Sequence, residues 1–183
     1  MSLLIRPAEM DDLAEITRIY AHAVDHETAS FELDPPDLAE MVRRYETLVS
    51  DGYPYLVAEL QNRLAGYAYV GPYRPRPAYR WTVENSIYLA PDMRGKGFGG
   101  HLLAELIARC EHLGFRQMIA VLGGADFERS RQLHHAHDFR EVGQLEAVGR
   151  KHHAWHDILI MQRALGEGAS NPPHPGDGAV DRA

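Results

Sequence analysis

A glycine run set between an apolar strand and an amphipathic helix constrains this chain more than any other stretch. From Ile87 to Leu113 the residues read IYLAPDMRGKGFGGHLLAELIARCEHL. The apolar start breaks at Pro91 and passes through Arg94-Gly95-Lys96-Gly97-Phe98-Gly99-Gly100. Helical spacing then follows, carried by Phe98, Leu102, Leu103, Leu106, Ile107, Cys110 and Leu113. A glycine-rich turn feeding a helix suits phosphate, because unpaired N–H groups point at the ligand and the helix dipole adds roughly half a positive charge. Gly95, Gly97 and Gly99 let that backbone come close, with no Cβ in the way. The chain is expected to hold a phosphorylated cofactor.

With 183 residues there is room for one sizeable core, and a single domain over residues 1–165 is expected. A formal net charge of -7 and the lack of a Lys/Arg run leave no footprint for nucleic acid or an anionic membrane surface. One cysteine cannot make an intrachain disulfide, which fits a reducing cytoplasm. No apolar run approaches the ~20 residues of a membrane span, and the apolar start at Met1 is too short for a signal sequence. Residues 166–183, rich in Gly and Pro, are expected to be a disordered tail.

Along the chain, Leu3–Arg6 reads as a strand. A helix follows, with Asp11 and Asp12 in its first turn and a stripe of Leu13, Ile16, Ile19, Tyr20, Ala23 and Val24. Residues 25–33 form a loop. Asp34 as N-cap with Pro35 at the first helical position opens a second helix, whose inner side is Leu38, Met41, Val42, Tyr45, Leu48 and Val49. Tyr53–Leu60 and Leu64–Gly71 make an antiparallel hairpin, and a proline-stiffened loop with Arg74, Arg76 and Arg80 leads to the strand Trp81–Leu89. On that strand Trp81, Val83, Asn85, Ile87 and Leu89 share one face, and Thr82, Glu84, Ser86 and Tyr88 the other. Gln117–Leu122 is a strand, and Asp126 caps a short helix Phe127–His137 with Leu133 and Ala136 inward. Glu141–Gly149 and Trp155–Arg163 are the final strands.

This order of elements resembles the GCN5-related N-acetyltransferase (GNAT) fold, whose loop motif Q/R-x-x-G-x-G/A is met by Arg94, Gly97 and Gly99. A narrower resemblance, to the phosphinothricin N-acetyltransferase branch, rests on Trp81-Thr82-Val83-Glu84, Ser86-Ile87-Tyr88-Leu89, Leu133-His134 and Trp155-His156-Asp157. The resemblance implies an α/β fold: a mostly antiparallel mixed sheet of about seven strands flanked by about four helices. It also implies acetyl-CoA as co-substrate, a small amino acid or analogue such as phosphinothricin or methionine sulfoximine as acceptor, and a homodimer formed through the last two strands. The chain departs from the family at Phe127, where an asparagine three residues before Ser130 is usual, at Asp138-Phe139, and at Lys151-His152-His153.

Acetyl transfer to an amine needs a base, a polarised carbonyl and a proton for the departing thiolate. An amine with a pKa of roughly 9 to 10 is mostly charged at neutral pH, so its proton must be removed. Glu84 is the candidate base, as the resemblance implies; the competing role is an ion pair with Arg74, Arg76 or Arg80. A backbone N–H near Leu89 would polarise the carbonyl, a donor typically worth ~3 kcal/mol. Ile87, Tyr88 and Leu89 would line the pantetheine arm. The N–H groups of Arg94, Gly95, Lys96, Gly97, Phe98, Gly99 and Gly100 would take the pyrophosphate, with Phe127 and Ser130 also at the cofactor. His134 either protonates the thiolate, orients the site, or is a helix-surface histidine. Arg74 and Arg76 either pair with an acidic end of the acceptor or are solvated, and Phe31 walls the same pocket.

Gly95, Gly97 and Gly100 also satisfy the dinucleotide fingerprint G-x-G-x-x-G, but the loop follows an antiparallel hairpin mid-chain. Gly-Lys-Ser/Thr is absent, against a nucleotide-triphosphate loop. The histidines at 134, 135, 137, 152, 153 and 156 lack an HExxH pattern and a cysteine partner, so no metal is expected. Cys110 on the apolar helix face reads as a structural thiol. Two other functions fit the sequence: acetylation of a different amine, such as a peptide N-terminus or polyamine, and a catalytically idle acyl-CoA binder.

Overall fold

Tyrosines 55, 67, 69 and 88 recur at alternate positions of three apolar runs, and that spacing decides how the sheet is covered. The structure is a computed structural model that describes residues 3–124 and 127–173. Seven strands, β1 (Leu4–Pro7), β2 (Tyr55–Leu60), β3 (Arg63–Pro72), β4 (Thr82–Leu89), β5 (Gln117–Gly123), β6 (Arg140–Lys151) and β7 (Ala154–Ala164), form one sheet in the order β1-β2-β3-β4-β5-β7-β6. All neighbours are antiparallel except β4 and β5. The helices are α1 (Leu13–His26), α2 (Leu38–Ser50), α3 (Phe98–His112) and α4 (Glu128–His135). This is the mixed α/β sheet with flanking helices that the resemblance implied.

Residues directly opposed in an antiparallel pair share a face, so Tyr55↔Tyr69, Tyr69↔Ser86, Tyr67↔Tyr88 and Gly71↔Glu84 all point one way. Helices α1 and α2 cover this face. Tyr20 of α1 meets Tyr88 edge-on with ring centroids 5.0 Å apart, and Tyr45 of α2 meets Tyr55 at 5.1 Å. The opposite face carries Val83, Asn85 and Leu89. There Leu89 and Leu133 of α4 both pack on Gly99 of α3, which buries Leu102, Leu103, Leu106, Ile107 and Cys110. The β2–β3 turn uses Gln61 and Asn62 at φ 55° and 59°, the two positive values a two-residue hairpin loop demands.

Three local expectations need correction. Helix α2 begins at Leu38, not at Pro35: Asp37, whose Oδ1 accepts the Glu40 N–H at 2.8 Å, is the cap. Pro36 is the reason, since a following proline drives Pro35 out of the helical region. Leu38 and Val49, placed in the inner stripe of α2, are exposed, while Met41 and Tyr45 are buried. In α4 Leu133 packs inward as expected, but its buried companion is His134, whereas Ala136 is exposed.

The expected cap Asp126 and residues 174–183 of the expected tail lie outside the described residues. The first part of that tail continues in turns: Gly168 N–H donates to Leu165 O at 2.8 Å, and Glu167 pairs with Arg116.

Candidate active site

Strands β4 and β5 are paired over four rows, from Thr82↔Gln117 to Asn85↔Ala120. Beyond Asn85, β4 runs on to Leu89 beside β3, and β5 runs on to Gly123 beside β7; among the described residues the two do not pair with each other again. The sheet therefore forks. Ala90 N–H donates to Ala65 O at 2.9 Å, so period-two alternation turns the main-chain groups of Leu89 and Ile87 away from β3 and into the fork. Gly66 makes this close approach possible, because a Cβ there would lie 2.5 Å from Tyr88 O.

At the open end, the single turn Pro91–Met93 and Arg94 lead into the glycine loop, with Gly95 at φ 72° and Gly97 at φ 83°. A Cβ on either glycine would meet nothing within 4 Å, so the loop lies open. The N–H groups of Gly95, Lys96, Gly97, Phe98 and Gly99 take no backbone partner among the described residues. Gly100 differs from the expectation: its N–H closes the first turn of α3 on Gly97 O at 3.0 Å. The Arg94 side chain turns back, reaching Glu27 Oε1 at 2.5 Å and Leu89 O at 3.2 Å. It ties the loop to the ends of β4 and α1. Five unpartnered donors at a helix start make an anion cradle that fits a pyrophosphate.

Glu84 sits at the root of the fork, with Gly71 of β3 on one side and Ile119 of β5 on the other. Burial raises its carboxyl above the ordinary value, and the nearby positive charge of Arg74 partly opposes the rise. None of the three neighbouring arginines forms an ion pair with it among the described residues. The Arg80 guanidinium lies 3.8 Å from the Trp81 ring centroid, and Arg74 lies 5.2 Å from that of Tyr73. Arg76 is exposed on the loop.

His134 approaches from the other face. Its Nδ1 lies 2.7 Å from Ser130 O and its Nε2 3.1 Å from Asn85 Oδ1, while Asn85 Nδ2 donates to Ile119 O at 3.3 Å. Burial lowers the imidazole to about 4, so the ring is neutral at pH 7. It is not a helix-surface histidine. With Asn85 Nδ2 donating to Ile119 O, Asn85 Oδ1 is the acceptor facing the ring, so a neutral His134 carries its proton on Nε2 and leaves Nδ1 as the acceptor toward Ser130 Oγ–H. Asn85, the last β4 residue paired to β5, was missed in the sequence. Its signal was a polar side chain among Val83, Ile87 and Leu89.

Phe31 packs on Gly123 at the end of β5 and on Gly149 of β6, where an added Cβ would come within 3.1 and 2.2 Å of its ring. It therefore borders the β5 lip of the fork. Lys151, also missed, is buried and donates to Ser30 O at 2.7 Å, strapping the loop that carries Phe31. Phe127 is half-buried before α4 and offers no side-chain hydrogen bond; Ser130 Oγ lies 3.4 Å from His134 Nδ1.

Among the described residues, no group of His, Cys, Asp and Glu is arranged to hold a metal ion. His135 faces Glu141 at 2.9 Å and His156 faces Lys151 O at 3.0 Å. Cys110 is buried and its thiol is pushed up to about 12. No helix of the described residues is long and apolar enough to cross a membrane.

Comparison with known proteins points the same way. The model of the acetyltransferase (GNAT) family matches residues 13–139. A phosphinothricin N-acetyltransferase from Alcaligenes faecalis is 48% identical over 169 residues, 92% of this chain and 86% of that protein. An L-methionine sulfoximine/L-methionine sulfone acetyltransferase from Pseudomonas aeruginosa is 39% identical over 173 residues, 94% of this chain and 100% of that one. The crystal structure of a GNAT superfamily phosphinothricin acetyltransferase from Sinorhizobium meliloti, in complex with AcCoA, superposes with a TM-score of 0.95 at 45% identity, covering 100% of both chains.

Proposed function

We propose, since this chain belongs to the acetyltransferase (GNAT) family, that it transfers the acetyl group of acetyl-CoA to the α-amino group of a small amino acid or analogue. Acceptors of the phosphinothricin and methionine sulfoximine or sulfone type follow from the named relatives. One observation carries the reading: Glu84, a carboxyl with a raised pKa and no ion pair among the described residues, stands at the root of a strand fork whose open end is an anion cradle.

In this reading the residues act as follows. The N–H groups of residues 95–99 bind the pyrophosphate, and the main-chain edge at Ile87, Tyr88 and Leu89 holds the pantetheine arm in strand-like fashion. The Leu89 N–H donates to the thioester carbonyl and stabilises negative charge on its oxygen as the amine attacks. Glu84 accepts the proton of the substrate ammonium, freeing the lone pair that forms the amide bond; as the C–S bond breaks, the second proton shed by that nitrogen goes to the departing thiolate. His134 is neutral and braced between Ser130 and Asn85, so it orients the fork and is not the proton donor to the thiolate. Arg74 faces the acceptor's carboxylate. Replacing Glu84 by Gln tests the assignment: turnover falls while acetyl-CoA affinity is kept.

A homodimer through β6 and β7 belongs to the same reading. Val142, Leu145, Val148 and Trp155 stand 41–64% exposed on these two strands, apolar surface that a second copy would cover. A cytoplasmic location fits the lone free cysteine at 110.

A further inference from the structure

Residues 27–37 join α1 to α2 with no helix or strand among them, and the middle of this strap is fixed from outside the two helices. Ser30 is buried and held at two points. Its hydroxyl lies 3.0 Å from that of Tyr20 and accepts the Glu32 N–H at 3.2 Å, while its carbonyl accepts from the Lys151 amine at 2.7 Å. Phe31 follows directly. Its ring packs on Gly123 and Gly149, with the His156 ring centroid 6.2 Å away, and it stays 36% exposed at the β5 lip of the fork. The fit is close: a Cβ on Gly149 would come within 2.2 Å of the Phe31 ring, and one on Gly124 within 1.9 Å of Thr28 Oγ1.

Lys151 stands in an unusual place for a lysine. It ends β6 at the turn His152-His153, where a long charged side chain ordinarily reaches into water, yet it is 4% exposed. Its hydrogen bond goes to a loop carbonyl, not to a carboxylate. Burial lowers its pKa, and the negative charges of Asp25, Glu27 and Glu32 oppose the fall. His156 closes the unit from behind, donating Nε2–H to Lys151 O at 3.0 Å. A buried amine costs more than an apolar side chain of similar length, so its single bond to Ser30 calls for a role. What that bond secures is the position of the next residue, Phe31.

We propose that Lys151 is a positioning residue for acetyl transfer: acting through Ser30, it sets Phe31 as the wall against which the acceptor amino acid rests. The inference rests on the acetyltransferase reading above. Glu27, at the start of the strap, is tied separately to Arg94 of the glycine loop, so loss of Lys151 leaves the cofactor cradle in place. Acceptor binding should therefore depend on Lys151 and cofactor binding should not.

Steady-state kinetics with methionine sulfone as acceptor test this. Lys151→Met keeps an unbranched apolar stem and removes the bond. It should raise the KM for methionine sulfone about tenfold, with kcat within about threefold of wild type and the KM for acetyl-CoA unchanged. Gly149→Ala displaces the Phe31 ring from the β6 side without altering Lys151, and should give the same split. In a Phe31→Ala background, Lys151→Met should change the acceptor KM by no more than about twofold, because both act on one wall. An acceptor KM untouched by Lys151→Met, or by Gly149→Ala where Lys151→Met does not fold, would overturn the positioning role. Effects of Lys151→Met and Phe31→Ala that simply multiply, or equal losses for both substrates, would overturn it too. Calorimetric binding of methionine sulfone to the CoA-loaded protein separates this role from the reading beneath it. Binding weakened about tenfold by Lys151→Met, in a wild type that does not turn over, would support the role and sink the catalytic reading. A wild type that neither binds nor acetylates methionine sulfone would overturn both.

Discussion

His134 Nε2 stands 3.1 Å from Asn85 Oδ1, at the last row where β4 and β5 are still paired. Through Asn85 Nδ2 and Ile119 O the contact reaches β5, so one buried polar chain ties α4 to both arms of the fork. The imidazole is held neutral by burial, down to about 4. A histidine whose folded pKa lies below its unfolded value contributes stability that is full above about 6.5 and is lost as pH falls toward 4. The full contribution is on the order of 3 kcal/mol. Histidine NMR across this range should show a ring titrating far below the others. In Asn85→Asp the facing carboxylate should move that titration upward; an unchanged ring would mean that the contact does not set its charge.

Glu84→Gln should reduce kcat by about 10²- to 10⁴-fold, the usual contribution of a positioned base, with little change in the KM for acetyl-CoA. In the wild type, activity should fall on the acid side with a midpoint above the ordinary 4.5, because burial raises the carboxyl. The stability effect has the opposite sign. A carboxyl raised by folding stabilises below its unfolded pKa and ceases to do so as pH rises through its folded value. Glu84→Gln should therefore melt higher than wild type at pH 7, trading stability for turnover.

Two glycines near the fork should separate cofactor binding from folding. Gly97→Ala places a side chain at φ 83° but in open space, costing about 1–2 kcal/mol and raising the KM for acetyl-CoA. Gly66→Ala puts a Cβ 2.5 Å from the backbone oxygen of Tyr88, which cannot move aside without breaking the β3–β4 edge. Thermal melts combined with CoA titrations should show a mild binding defect for the first and a severe folding defect for the second.

Trp155, 64% exposed on β7 opposite Arg150, is the most exposed apolar side chain of the surface proposed to meet a partner copy. Trp155→Glu should halve the mass measured by light scattering at micromolar concentration without lowering the monomer's helix content. An unchanged mass would remove Trp155 from the interface.

The strand-loop-helix core of the site was readable because its signals are local. Glycine spacing, Pro91 and a helical apolar stripe each act within a few residues, and they located the loop and α3 correctly. Alternation along β4 likewise put Glu84 and Asn85 on opposite faces, as the sheet pairing has them. What stayed hidden depends on residues far apart in sequence. Nothing near His134 announces Asn85, 49 positions away, and nothing near Ser30 announces Lys151, 121 positions away. The start of α2 failed for a nearer reason: Asp34-Pro35 is a good cap pair in isolation, but Pro36 cancels it and Asp37 does the work.

A crystal structure with acetyl-CoA bound should show pyrophosphate oxygens within hydrogen-bonding distance of the N–H groups of residues 95–99, the pantetheine arm between Ser86–Leu89 and Val121–Gly123, and the thioester carbon on the Glu84 side of the sheet. A pyrophosphate bound elsewhere with the glycine turn empty, or a thioester separated from Glu84 by packed side chains, would contradict this placement.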